Sequence, residues 1–347
     1  MKINHRWLLA LAALSSAQLA AVNGDARAQA AAEFFRGREI TIGIPSDAGG
    51  GYDATGRLIA QYLPKYIPGN PRVIPQNNPA GGGLVLVNLL YNTAPKDGTH
   101  IGIVRGSALY EEIFNNPAVK FESLKFNWLG NFSRTQDGCV FAPASGINSP
   151  EDLFKREITI GASGVGAQAY SLPKIYNDLL GMRFKIIVGY KGSGDRVLAM
   201  ERGELEGACG ITTGTLRSTF ASAVKEGKIK IVAQAGLSKD EQLPNVPNIL
   251  DLAKNAEQRR ALEFLFAQLD LGRAVAAPPG VPPERVKILR DAFEQMLKDP
   301  GLAADVNRMQ LDFDPMNAAA TTEMIEHFFA TPKPIVEQIR VALTAKK

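Results

Sequence analysis

The chain is expected to fold as an α/β protein of two lobes, each a mostly parallel sheet flanked by helices. Three observations carry that expectation. Short runs rich in Ile, Val and Thr alternate with segments of helical periodicity, an order that lays strands side by side and covers both faces with helices. The same grammar of strand, Gly-rich loop and helix appears twice, first near residue 39 and again in a unit that starts near Cys139. With 347 residues, 45% hydrophobic and 21% charged, the chain has ordinary globular composition and enough length for two cores.

Ahead of the first lobe, Lys2 and Arg6 precede an apolar run from Trp7 to Leu14, then small residues, then Ala28-Gln29-Ala30. This is the pattern of a cleavable secretory signal over residues 1–30. A membrane span needs about 20 sustained apolar residues, and Ser15, Ser16, Gln18 and Asn23-Gly24-Asp25 interrupt this one. Removing residues 1–30 leaves 36 basic and 34 acidic residues, so the formal charge falls from +4 to +2. The remaining basic residues are scattered, which argues against a nucleic-acid footprint. An exported chain meets an oxidising compartment, and Cys139 and Cys209 are its only cysteines; the sequence leaves a bridge and two free thiols both open.

Residues 39–44 read as a strand that stops at Pro45 and Gly49-Gly50-Gly51. Ala54, Leu58, Ile59, Tyr62 and Leu63 then repeat at helical spacing, with Asp53 at the N-cap and Pro68-Gly69-Asn70-Pro71 as the stop. A second strand is expected at 72–76, a helix from Gly81-Gly82-Gly83 to Leu90, and a third strand at 99–104. The second unit places strands at 139–142 and 158–161, a loop at 162–166 and a helix through Leu180. Strands at 184–188, 205–209 and 229–235 follow, separated by helices at 193–202 and 214–226. From Pro278 onward the chain reads as amphipathic helix, with one stripe at Val286, Leu289, Phe293, Met296 and Leu297 and another at Ala303, Val306 and Met309.

Enzyme signatures are sparse. Beyond the leader only His100 and His327 remain, neither at metal-ligand or triad spacing, and no H-E-x-x-H, C-x-x-C or G-x-S-x-G occurs. Gly164-Val165-Gly166-Ala167-Gln168-Ala169 fits the dinucleotide pattern G-x-G-x-x-A, but no acidic residue follows at about 20 residues on, at a strand end. What survives is the physics beneath that motif. Backbone N–H groups at a helix start lack intrahelical partners and carry partial positive charge, so they bind phosphate or carboxylate alike. Loops 45–53 and 161–170 both present such starts, one in each lobe.

At these loops the chain resembles the Bug family, the binding proteins of tripartite tricarboxylate transporters. The resemblance rests on Ile42-Gly-Ile-Pro-Ser-Asp-Ala-Gly-Gly-Gly-Tyr-Asp53 with Arg57, then Asn78-Pro-Ala-Gly-Gly-Gly83, Ala94-Pro-Lys-Asp-Gly-Thr99 and Gly161-Ala-Ser-Gly-Val-Gly166. Gly189-Tyr-Lys-Gly-Ser193, Glu226-Gly-Lys228, Leu243-Pro-Asn-Val-Pro247 and Ala277-Pro-Pro-Gly-Val-Pro282 continue it in the family's order, from about Phe35 to the C-terminus. It implies a type II, two-lobed periplasmic binding protein with a hinge and an interlobe cleft. Lobe one would comprise 31–137 and 236–347, and lobe two 138–235. The implied function is capture of a small carboxylate and delivery to the membrane subunits of the transporter, by a monomer without cofactor or catalysis. Ligand sensing for a signalling receptor is the alternative.

The family binds its ligand carboxylate with loop backbone, which carries over to Ser46, Ala48, Gly49 and Gly50 and to Ser163, Gly164, Val165 and Gly166. Asp53 matches the family's loop Asp, as a helix cap or a ligand contact. The chain departs from the pattern with Asp47 in the first loop, with Tyr52 after the glycines, and with Cys209-Gly210-Ile211, where the family often has an Asp followed by Asn. There Thr212 or Thr213 is left as the side chain able to reach a ligand. Arg105 and Ser107 sit at a strand end, where a cation can pair with a second, distal carboxylate. The alternative for Arg105 is an ordinary surface arginine. Tyr190 is either a pocket wall or a core side chain.

Overall fold

The computed structural model describes residues 30–344 except Ala32, Gly50, Val165 and Gly166, so all but Ala30 of the expected signal at 1–30 lies outside the described residues. Strand β1 (Glu39–Ile44) buries Ile40, Ile42 and Ile44 completely. It pairs in parallel with β2 (Arg72–Asn77) and β3 (His100–Val104). The connections are α1 (Gly51–Tyr62), then α2 (Leu84–Asn92); α3 (Gly106–Ile113) follows β3, and β4 (Asn127–Asn131) ends this part of the chain. Residues 132–136 cross to a second sheet formed by β5 (Asp137–Phe141), β6 (Ile158–Ala162), β7 (Phe184–Val188), β8 (Gly207–Thr212) and β9 (Lys230–Ala235). Its helices are α4 (Gln168–Ile175), α5 (Ser193–Glu201), α6 (Thr213–Arg217) and α7 (Ala221–Lys225). The chain then returns through α8 (Ala256–Asp270), β10 (Ala274–Ala277), α9 (Pro283–Leu297), α10 (Pro300–Arg308), β11 (Met316–Asn317), α11 (Ala318–Phe329) and α12 (Lys333–Thr344).

The strand orders are β11-β4-β10-β3-β1-β2 and β7-β6-β8-β5-β9. Both sheets are mixed: β1 to β4 run one way in the first and β6 to β9 one way in the second, while β10 is antiparallel to β3 and β4, and β5 is antiparallel to β8 and β9. The reason is the crossover. Strands β1, β3 and β4 end at the edge from which the chain leaves, and β6, β8 and β9 end at the edge where it arrives. A strand entered from that shared side has to run the other way, as β5 and β10 do.

The α9 stripe packs as expected, with Val286, Leu289, Phe293 and Met296 all buried, each contributing about 1.5–3 kcal/mol of apolar transfer. Met309 does not follow its stripe and stays 39% exposed, because α10 ends at Arg308 and Met309 is its C-cap. The helix expected over 214–226 is broken into α6 and α7, since Ser218 leaves helical geometry. Strands β4 and β10 and helices α3 and α8 join the elements that the sequence analysis places. The C-terminal α12 packs on α8 and on α4, where the buried Lys174 ammonium donates to Ala342 O and pairs with Asp178 at 2.9 Å.

Cys139 and Cys209 lie on the neighbouring strands β5 and β8 and form a disulfide with both residues buried, where the β5–β8 ladder shifts register. The bridge closes a separation of 70 residues, for which chain entropy sets a ceiling of about 4 kcal/mol. Reduction, or Cys139→Ala combined with Cys209→Ala, is expected to lower the melting temperature. A melt recorded with and without reductant checks this, and an unchanged transition contradicts it.

Candidate functional site

In open α/β sheets ligands bind beyond the carboxyl ends of the strands. Here the ends of β1 and β3 and the start of β10 share the edge that meets the second sheet, so the first loop, Arg105 and Arg273 are neighbours there. The loop after β1 turns at Gly49, whose φ of 88° is a left-handed conformation that a Cβ would strain. It leans on the second glycine run: a side chain on Gly83, φ 93°, would stand 2.6 Å from Pro45 Cβ.

Asp53 organises this loop. Helix α1 begins at Gly51, so Asp53 is not the N-cap but lies in the first turn, only 5% exposed. Its Oδ2 accepts from Gly49 N at 2.9 Å and from Arg57 Nε at 3.0 Å, and its Oδ1 accepts from Asn77 Nδ2 at 2.9 Å. Asn77 Nδ2 also donates to Ser46 O at 2.9 Å, which ties the end of β2 to the loop. The Arg57 hydrogen bond, with help from Gly49 and Asn77, outweighs burial and holds the Asp53 carboxyl down at about 2. Asp53 thus closes the turn, and the Gly49 N–H is spent on it. Asp47 and Ala48 are exposed at the tip, Ser46 is half-buried, and Gly50 lies outside the described residues.

In the second sheet Ser163 is exposed after β6 and Gly164 O accepts from Ala167 N at 3.0 Å; Val165 and Gly166 lie outside the described residues. Tyr190 packs its ring on Gly161, and its N–H donates to Ala162 O at 3.3 Å. Beneath them the buried Arg196 donates to Cys209 O at 2.6 Å and Gly210 O at 3.3 Å. Thr212 caps α6 by accepting from Thr215 N at 3.2 Å. Ser107 is exposed in the first turn of α3.

Arg105 lies with its Cζ 4.4 Å from the Tyr52 ring centroid. Two further residues join this edge that the sequence did not mark. Arg273, just before β10, lies 5.7 Å from the same ring. Asp312 lies against Gly214, where any side chain would collide with its carboxylate. Burial pushes the Asp312 carboxyl up, opposed by Arg273 from one side and Arg217 from the other. A basic residue directly before a short Ala/Val run was the only hint of Arg273. Burial also pushes Asp137 and Asp270 up to about 7, opposed by Arg196 and Arg134 respectively. Among the described residues no cluster of His, Cys, Asp and Glu is arranged for a metal ion, and no helix is long and apolar enough to cross a membrane.

Two sheets joined by crossing segments, with Gly-bearing helix starts at their facing edges, describe a solute-binding protein. The profile of the tripartite tricarboxylate transporter family receptor matches residues 57–341, and the chain belongs to that family. A UPF0065 protein of Cupriavidus necator is 24% identical over 351 residues, covering 98% of this chain and 99% of that one. Among solved structures, a TctC solute binding protein from Polaromonas superposes with a TM-score of 0.70 at 19% identity, covering 87% of this chain and 98% of that one. MatC from Rhodopseudomonas palustris with bound malate gives a TM-score of 0.58 at 17% identity, covering 86% and 99%. Members of the family are periplasmic solute-binding receptors of membrane transporters.

Asp53 and Asp270 should respond to pH in opposite directions. A carboxyl held low adds stability above its ordinary value of 3.8 and loses it as pH falls toward 2, so Asp53→Asn should cost about 1–2 kcal/mol at neutral pH and progressively less in acid. A carboxyl held high binds its proton more tightly when folded, so its contribution declines as pH rises from about 4 to 7. Asp270→Asn should therefore gain on the wild type between about pH 4 and pH 7. Denaturant titrations across this range test both signs.

Proposed function

We propose that this chain captures a small carboxylate between the loop at 46–53 and the loop at 163–166 and delivers it to the membrane subunits of a tripartite transporter. The observation that carries this reading is the first loop, held in shape by Asp53 and Asn77 at the start of α1, where partial positive charge meets the edge of the second sheet. The neighbour MatC holds malate on a similar fold, which supports an organic acid as the ligand class. In this reading lobe one is 31–137 with 236–347, lobe two is 138–235, and the anion favours the closed form by binding it better than the open one. Backbone of Ser46, Ala48, Gly50, Ser163, Gly164, Val165 and Gly166 meets the carboxylate, and Tyr52, Arg105, Ser107, Tyr190 and Thr212 line the cleft. The protein works as a periplasmic monomer released by cleavage after Ala30, and it turns nothing over.

The test uses the chain from Ala31, unfolded and refolded to strip bound solute, with thermal melts against mono-, di- and tricarboxylates. A ligand at about 100 times its dissociation constant adds about 2.7 kcal/mol. That gain should vanish in Gly49→Val, where the turn is strained, and in Gly164→Leu, where the new side chain fills open space. Folded protein that answers to no carboxylate refutes the reading.

A further inference from the structure

Arg105 and Arg273 lie outside the loop scheme. Val104 pairs with Ala274 across antiparallel β3 and β10, so the residue after the one and the residue before the other sit side by side at the sheet edge. Both guanidinium groups gather on one ring, 4.4 Å and 5.7 Å from the Tyr52 centroid. A Cβ on Gly51 would meet Arg273 Nη2 at 3.0 Å, so this cation stands at the very start of α1 and adds a full charge to the partial charge there. Two cations placed together repel each other unless anions answer them. Here the Nε of each is buried without an acceptor, and among the described residues neither forms an ion pair. The loop's own carboxylate, Asp53, is committed to Gly49, Arg57 and Asn77. Asp312 is the acidic group that feels Arg273, but burial pushes its carboxyl up and Arg217 and Thr212 share it, while it lies against Gly214 of the second sheet.

We propose that Arg105 and Arg273, gathered on the Tyr52 ring, form a second anion subsite that selects ligands with two carboxylates over matched ligands with one. The inference rests on the carboxylate reading above and adds the residues that set its specificity. A guanidinium offers a planar fork that a carboxylate meets with two parallel hydrogen bonds, and it stays charged at any working pH. The Tyr52 ring lies against both guanidinium groups and helps to hold them side by side. A monocarboxylate can satisfy the backbone of the loops, but it leaves these two charges unanswered.

Titration calorimetry on the refolded mature chain tests this with pairs matched in length, succinate against butyrate and adipate against hexanoate. At least one dicarboxylate should bind about tenfold or more tightly than its partner. Arg105→Gln and Arg273→Gln should each erase most of that ratio, weakening the dicarboxylate far more than its monocarboxylate partner, while leaving the ligand-free melting temperature close to wild type. Arg105→Lys, which keeps the charge and loses the fork, should retain part of the ratio and stands in if a glutamine variant fails to fold. Equal binding of both members of each pair by the wild type overturns the subsite but leaves the carboxylate reading intact. Variants that weaken both members by the same factor show a structural role and also overturn it. Binding of no carboxylate by folded protein overturns both readings.

Discussion

An ionised carboxylate in the first turn of a helix is stabilised by the unpaired N–H groups around it, and Asp53 uses this twice over. It receives the N–H of Gly49 from the turn, the guanidinium of Arg57 one helical turn on, and the amide of Asn77 from the neighbouring strand. Three chain segments are thereby fixed to one side chain. The shape of the first loop, the direction of α1 and the position of Tyr52 beside Arg105 all follow from that arrangement. Gly49 and Gly83 make it sterically possible, the first by turning left-handed and the second by letting the loop lie against Pro45.

The second constraint is topological. A chain that leaves one sheet for another and returns has to enter each from the side they share, and β5 and β10 run against their neighbours for that reason. Their first residues consequently lie at the cleft edge. Asp137 opens β5 and Arg273 precedes β10, so the crossover brings charged side chains to the place where the strand ends and helix starts already gather. The disulfide between β5 and β8 holds the arriving strand where its ladder is irregular.

Charge at this edge is uneven, and the unevenness is informative. Asp53 is fully matched and sits low; Asp137 and Asp270 are buried with an unpartnered oxygen each and sit high. Among the described residues the buried Nε atoms of Arg105 and Arg273 have no acceptor beside the helix start. On the proposed function an anion would complete this arrangement, because matching its cations internally would remove the reason for a ligand to bind.

By itself the sequence determined what short-range physics governs. Alternating Ile residues marked β1, helical spacing marked α1 and α9, and the Gly runs marked the two loops, because each depends on residues a few positions apart. The family resemblance was likewise legible in motifs local to those loops. Tertiary structure decided the rest. That Asp53 latches the turn rather than capping the helix required the true start of α1 and the amide of Asn77 from another strand. That Cys139 meets Cys209, and that Arg273 joins Arg105 on Tyr52, required strand order and direction. Those pairings join residues distant in the chain, and only the crossover, which no local pattern encodes, brings them together.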